Sequence, residues 1–195
     1  MAAGWIVNAA RKVPVHQVGL GVGALALAVS GLFGGLTTVR DQVPTVTASA
    51  ATDGGPWRVT VIRARLFNDL PPLSLQKAGD RWLVVVATVE VTAAESRGDM
   101  TDILRVPAVP GLLTKEPSYV VLARDSTNVE YLNPGMPEKI GFFWEQAAGS
   151  PAPTEVDVRV YGKTQRLDAL TGHLNWLDLA VRGQVHLTVD DQRNK

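Results

Sequence analysis

The sequence predicts a membrane-crossing helix followed by an all-β antiparallel sandwich, and three features predict it. From Gln17 to Val39 no residue is charged. From Trp57 onward the apolar residues recur at every second position. Those alternating runs are short, and turn residues separate them, as expected of a sandwich of about seven or eight strands.

The membrane segment is read over 13–39. A helix needs roughly 20 apolar residues to cross the hydrocarbon core, and Val18 to Leu36 just meets that length. A surface helix keeps a polar face; this stretch has none. Arg11 and Lys12 precede it, no acidic residue occurs before Asp41, and Arg40 is the one basic residue just beyond it. The positive-inside bias therefore places 1–12 in the cytoplasm and the large domain outside a bacterial cytoplasmic membrane. Trp5, Ile6 and Ala9 fall near one face and suit the inner interface. The alternative is a cleaved signal peptide ending near Ala48-Ser49-Ala50, but that site lies about a dozen residues past the apolar core, farther than signal peptidase usually reaches.

Glycine spacing gives the helix a second property. Gly19 and Gly23 form GxxxG, as do Gly31 and Gly35, and Ala26 with Ser30 continues the small-residue spacing. In lipid, helices associate by close backbone packing rather than hydrophobic drive, so small residues mark contact faces. The expected partners are other integral membrane proteins or a second copy of the chain, within the lipid bilayer. The competing explanation is that Ala and Gly are simply abundant in a high-GC genome. His16, at the cytoplasmic mouth, reads as solvated.

Residues 40–56 contain DQVPTVTASAATDGGP, rich in Thr, Ala, Ser, Pro and Gly. They are expected to form a flexible tether.

The domain is expected over 57–195. Trp57, Val59 and Val61 alternate with Arg58 and Thr60, and then the phase slips, so a β-bulge is expected within the first strand. Arg81 to Thr92 is the strongest strand. Leu83, Val85, Ala87, Val89 and Val91 form one face, while Trp82, Val84 and Val86 begin the other, which turns polar at Thr88 and Glu90. That pattern suits a central strand covered on one side throughout and on the other at its start.

Ile103, Leu104 and Val106 suggest a short strand before Pro107 and Pro110. Ser118 to Arg124 and Glu138 to Gln146 follow, the latter with Ile140, Phe142 and Trp144 on one face. Glu155 to Tyr161 alternates, and Lys163 to Leu167 is expected to pair with it across a turn at Gly162. Over 168–183 helical and strand spacings compete, and a short helix then a strand is preferred. Val185, Leu187 and Val189 face inward from the last strand.

Trp57-Arg58-Val59-Thr60-Val61, Asp80 to Val86 and Leu132 to Ile140 together resemble a bacterial immunoglobulin-like family of unknown function, sometimes mislabelled telomeric-repeat-binding-factor-like. The resemblance covers roughly Trp57 to Asp190. It implies one N-terminal transmembrane α-helix followed by an all-β, immunoglobulin-like antiparallel sandwich. The chain departs from the family in its proline-broken middle and at Asn175-Trp176-Leu177, and the resemblance carries over no catalytic residues.

Chemistry is sparsely signalled. Net charge is +0, with 19 basic and 19 acidic residues, which argues against a nucleic-acid partner. With Cys 0 there is no thiolate metal site, redox centre, cysteine nucleophile or lipobox. His173 and His186, with Asp168, Asp178 and Asp190, match no metal motif. No GxSxG occurs. The GxGxG at Gly19–Gly23 lies inside the apolar segment, which rules out a phosphate loop by context.

Leu174, Trp176 and Leu177 form either a protein contact or a plug at one end of the sandwich, and the plug is preferred. The expected function is a non-enzymatic accessory subunit of a membrane complex, without cofactor. The alternative is an anchored envelope-binding module for cell-wall glycan or a small ligand.

Overall fold

A strand with one buried face fixes its own register, because a one-residue slip would turn every apolar side chain to solvent. The computed structural model describes residues 43–169 and 171–193 of the chain. The membrane segment 13–39, the terminus 1–12, His16, and the docking positions Gly19, Gly23, Ala26, Ser30, Gly31 and Gly35 lie outside the described residues. Among the described residues, no helix is long and apolar enough to cross a membrane.

The described residues form an all-β sandwich. Its strands are β1 (Ala51–Asp53), β2 (Trp57–Phe67), β3 (Arg81–Val91), β4 (Leu104–Arg105), β5 (Tyr119–Leu122), β6 (Glu138–Gln146), β7 (Glu155–Leu167) and β8 (Leu174–Asp191). A single 3₁₀ turn, Met100–Asp102, precedes β4. Strand order is β4-β7-β8-β2-β3-β6-β5, with β1 also on β2. The β4-β7-β8 sheet packs against the β2-β3-β6-β5 sheet. Val156, Val158 and Val160 of β7, and Val185, Leu187 and Val189 of β8, meet Val59, Val85, Phe142 and Trp144 in one buried core.

The sandwich is not wholly antiparallel. β8 pairs parallel with β2 at Ala64↔Val189 and Leu66↔Asp191, joining the two sheets along one side. Local periodicity cannot reveal this, because it does not encode which strands meet.

The bulge of β2 and the two faces of β3 are as expected. The register of β2 on β3 shifts between Val61 and Arg63. Trp57, Val59, Val61, Ala64 and Leu66 therefore all face the core, while Ile62 joins the outer side. The odd-numbered face of β3 is buried throughout. Its other face is covered at Trp82, Val84 and Val86, where Leu70, Leu73 and Leu75 of the loop between β2 and β3 lie over it with Phe143 and Tyr119.

Three expectations are corrected. Gly162 is no turn: β7 runs through it, and Gly162 pairs with Ala180. Glycine is required there because a Cβ would stand 2.4 Å from the Gly54 carbonyl oxygen and 2.5 Å from its Cα. The segment before β8 is no helix: β7 and β8 form one long hairpin whose last pair is Leu167↔Leu174. Its leucines satisfied helical spacing by coincidence, while the cross-strand partner was far away in sequence.

The tether is largely built into the domain. Val46 N–H donates to Gln184 O at 2.8 Å, Gln184 N–H donates to Pro44 O at 2.9 Å, and Thr45 bridges Gln184 in parallel. Ala51–Asp53 then pairs with β2. Backbone hydrogen bonding, which composition does not record, orders this polar stretch.

Candidate functional site

The distal half of the β7–β8 hairpin carries the most conspicuous surface. Leu167, Leu174, Leu177 and Leu179 are 65%, 61%, 45% and 40% exposed. The strands outrun their neighbours because the hairpin supplies its own pairing: Thr164↔Leu177, Gln165↔Trp176 and Arg166↔Asn175. A register shift near Gly162, with Asp178 at a φ of 54°, bends the ribbon.

Other apolar side chains gather at the same end of the sandwich. Val91, at the end of β3, pairs with Trp57, at the start of β2. Gly135 N–H donates to Val91 O, and Leu132 exchanges hydrogen bonds with Arg97. This brings Tyr131, 71% exposed, and Met136, 55% exposed, to that end. Among the described residues, only Leu113 is an exposed large apolar side chain elsewhere. It hydrogen-bonds Glu145, near the opposite end of β6. Singly exposed leucines need no explanation; six such side chains at one end do.

The expectation of a plug is met in part. Trp176 packs against the core and lies close to Gly55. Leu174 and Leu177 face solvent instead.

An ionic clamp fixes the base of this ribbon. Lys163 Nζ lies 2.6 Å from Asp99 Oδ2 and 2.7 Å from Asp102 Oδ2, and 5.6 Å from the centre of the Trp57 ring. Arg97 Nε donates to Asp99 Oδ1 at 2.9 Å. Lys163 N–H also donates to Gly54 O. Burial opposes the charge on Lys163, but the hydrogen bonds it donates to Asp102 and Asp99 outweigh it and leave its pKa raised. Burial likewise opposes ionisation of Asp99, and the hydrogen bonds of Arg97 and Lys163 prevail, so its pKa is lowered. The indole N–H of Trp57 is satisfied by Tyr161 O at 2.8 Å. The ribbon therefore leaves the core at a fixed place.

A concavity of about 500 Å³ lies beside β4, lined by residues that include Val106, Val109, Leu112, Leu113 and Tyr161. Arg105 stands 5.7 Å over the Tyr161 ring and 3.1 Å from Glu116, with another bond to Leu104 O. Its guanidinium is thus committed to the protein, and the concavity is mainly apolar.

The histidines are separated. His173 lies in the hairpin turn and His186 well along β8, on the order of 40 Å apart for thirteen extended residues. The carboxylates considered beside them are engaged elsewhere: Asp178 with Arg166, and Asp190 with Arg65 at 3.2 Å. His186 Nδ1 lies 3.0 Å from Asp157, and Nε2 lies 3.5 Å from Glu155. The hydrogen bond to Asp157 raises its pKa, against an opposing effect of desolvation, with the Glu155 charge adding to the rise.

Sequence reasoning found Leu174, Trp176 and Leu177 but missed Leu167, Leu179, Tyr131, Met136 and the Asp99–Asp102–Lys163 clamp. The hairpin leucines carried a signal, since Leu167 and Leu174 flank a segment containing Gly172. The others carried none, because they meet only across strands distant in sequence.

No family model matches the sequence, and no curated protein matches it. Among solved structures, the chain is similar to an uncharacterized β-sandwich protein from Clostridium difficile 630, with a TM-score of 0.45 and 9% identity. That likeness covers 77% of this chain and 98% of the other.

Proposed function

We propose that the chain is a non-enzymatic, single-pass accessory subunit of a multi-subunit membrane complex in the bacterial cytoplasmic membrane. Its glycine-spaced helix docks on other membrane helices, and its sandwich, of immunoglobulin-like type, stands outside. Transporter, secretion and respiratory complexes are the kinds of host this reading allows. One observation carries it: the uncharged run from Gln17 to Val39 spaces Gly19 with Gly23 and Gly31 with Gly35 at the small-residue interval that marks helix contacts in lipid.

The test is co-purification of the intact chain with other membrane proteins in mild detergent. Gly23→Leu and Gly31→Leu should each release the partners, because a bulky side chain at a close-packed helix contact prevents backbone approach. Association that survives both changes would sink the docking reading.

The concavity beside β4 favours a second reading, an anchored envelope-binding module. Its size suits a small ligand, and Tyr161 is part of its lining. Retention of the detergent-solubilised chain on cell-wall material, lost with Tyr161→Ala, would favour it over the first.

A further inference from the structure

We infer that the concavity beside β4 binds a small monocarboxylate, its apolar body against Val106, Val109 and Leu112 and its carboxylate beside Lys115. The inference rests on the reading of that concavity as a ligand site and gives the ligand its chemical class. Three features of the fold carry it.

The first is that the loop walling the concavity is held in place. Residues 106–118 join β4 to β5, and Pro107, Pro110 and Pro117 restrict their backbone. A loop of about a dozen residues is uncommon in a compact domain and, when ordered, usually functional. This one is fastened to β6 from inside the sandwich. Gln146, fully buried, donates from Nε2 to Pro110 O at 2.7 Å, and the buried indole of Trp144 donates to Lys115 O at 3.2 Å. Leu113 N–H donates to Glu145 O, and Ala147 N–H donates to Gly111 O. A cavity shaped by such bonds spares a ligand the cost of ordering the loop.

The second is the inner surface. Val106 is buried, Val109 and Leu112 are half-buried, and Pro107 and Leu113 stand exposed at the rim. The polar side chains beside them are engaged: Thr114 Oγ1 donates to Glu116 O at 2.6 Å, and Arg105 lies 3.1 Å from Glu116. A sugar would set its hydroxyls against side chains that offer them no partner. An apolar body loses nothing there.

The third is charge. The charged side chains of the lining are Arg105, Glu116 and Lys115. The first two neutralise each other. Lys115 is exposed and makes no ion pair among the described residues. Trp144 holds its backbone at the concavity, so one uncompensated positive charge stands there. A single negative charge complements it, whereas a dianion would also meet the repulsion of Glu116. Solvent screens an exposed pair, so it should raise affinity by about threefold to fivefold, and the apolar contact supplies the rest.

The full chain, in lipid nanodiscs and with isotope-labelled Val and Leu methyl groups, would be titrated with naphthoate and with neutral naphthamide. Naphthoate should shift the methyl resonances of Val106, Val109, Leu112 and Leu113, and bind about threefold to fivefold more tightly than naphthamide. Lys115→Gln should remove that difference by weakening naphthoate alone. Leu113→Asp, at an exposed position, should weaken both probes. Equal affinity of the two probes in the concavity overturns the carboxylate assignment and leaves a site for neutral apolar ligands. A preference for naphthoate that survives Lys115→Gln overturns the pairing with Lys115. Resonances of the concavity that do not move with either probe overturn the inference together with the reading of the concavity as a ligand site.

Discussion

Val46 and Gln184 are joined through their backbones: the Val46 N–H donates to Gln184 O at 2.8 Å, and Gln184 N–H donates to the carbonyl of Pro44 at 2.9 Å. These bonds convert a segment of tether-like composition into an edge of the sandwich. They also set where the chain enters the domain.

Gly183 permits that contact. A Cβ there would lie 2.9 Å from Val46 Cγ2 and 3.3 Å from Thr52 Cγ2. Gly183→Val should displace residues 44–46 from β8, weakening the local structure by about 1–2 kcal/mol. Hydrogen exchange would show it as faster exchange of the Val46 and Gln184 amides, with β3 and β6 unchanged.

Gly162 faces a harder obstacle. Its Cβ would meet the O, Cα and C atoms of Gly54 at 2.4, 2.5 and 2.7 Å, and backbone cannot rotate away. Gly162→Ala should destabilise the domain by about 3 kcal/mol, the upper part of the range for overpacking. Gly149→Ala is the control, since nothing lies within 4 Å of the added atom. It should be neutral or stabilising by a few tenths of a kcal/mol. Denaturant midpoints of the intact chain in detergent would compare the two.

Lys163→Met removes the cation that Asp99 and Asp102 share. Two carboxylates are then left in a partly buried place, and the loss should be about 2–4 kcal/mol, below the full cost of breaking a wholly buried pair. The clamp's dependence on pH follows from its shifts. Lys163, with a raised pKa, contributes below about pH 10.5 and loses that contribution as pH rises through the raised value. Asp99, with a lowered pKa, contributes above about pH 3.8 and loses it as pH falls through the lowered value. Between these limits the melting temperature difference between wild type and variant should stay constant.

His186 gives a dependence nearer neutrality. Its pKa is raised, first by the hydrogen bond to Asp157, against an opposing effect of desolvation, with the charge of Glu155 adding to the rise. Its stabilisation is fully present below about pH 6.5 and disappears as pH rises through the raised value. Nuclear magnetic resonance titration of the imidazole should place its midpoint above 6.5. His186→Gln should remove this part of the pH dependence of stability.

The strands that were legible are those whose pattern is complete within one segment. β3 announced both of its faces, because alternation of Leu83, Val85, Ala87, Val89 and Val91 needs no partner to be seen. The bulge in β2 was equally visible, because a phase slip is a local event. Gly162 misled because a glycine needed for close approach of Gly54 looks, in sequence, like a glycine needed for a turn. Residues 174–181 misled because Leu174, Leu177, Leu179 and Val181 fit two periods, and only pairing with β7 chooses between them.

The sequence by itself determined that the chain is β-rich after Trp57 and which face of each strong strand is apolar, since both follow from side-chain order along the backbone. Tertiary structure alone decided that β8 closes on β2 in parallel, that Lys163 meets Asp99 and Asp102, that residues 44–46 lie on β8, and that six exposed apolar side chains collect at one end. Each of these is a meeting of residues far apart in the chain. Such meetings are fixed by how two sheets stack and where their hydrogen bonds close, information that no local pattern carries.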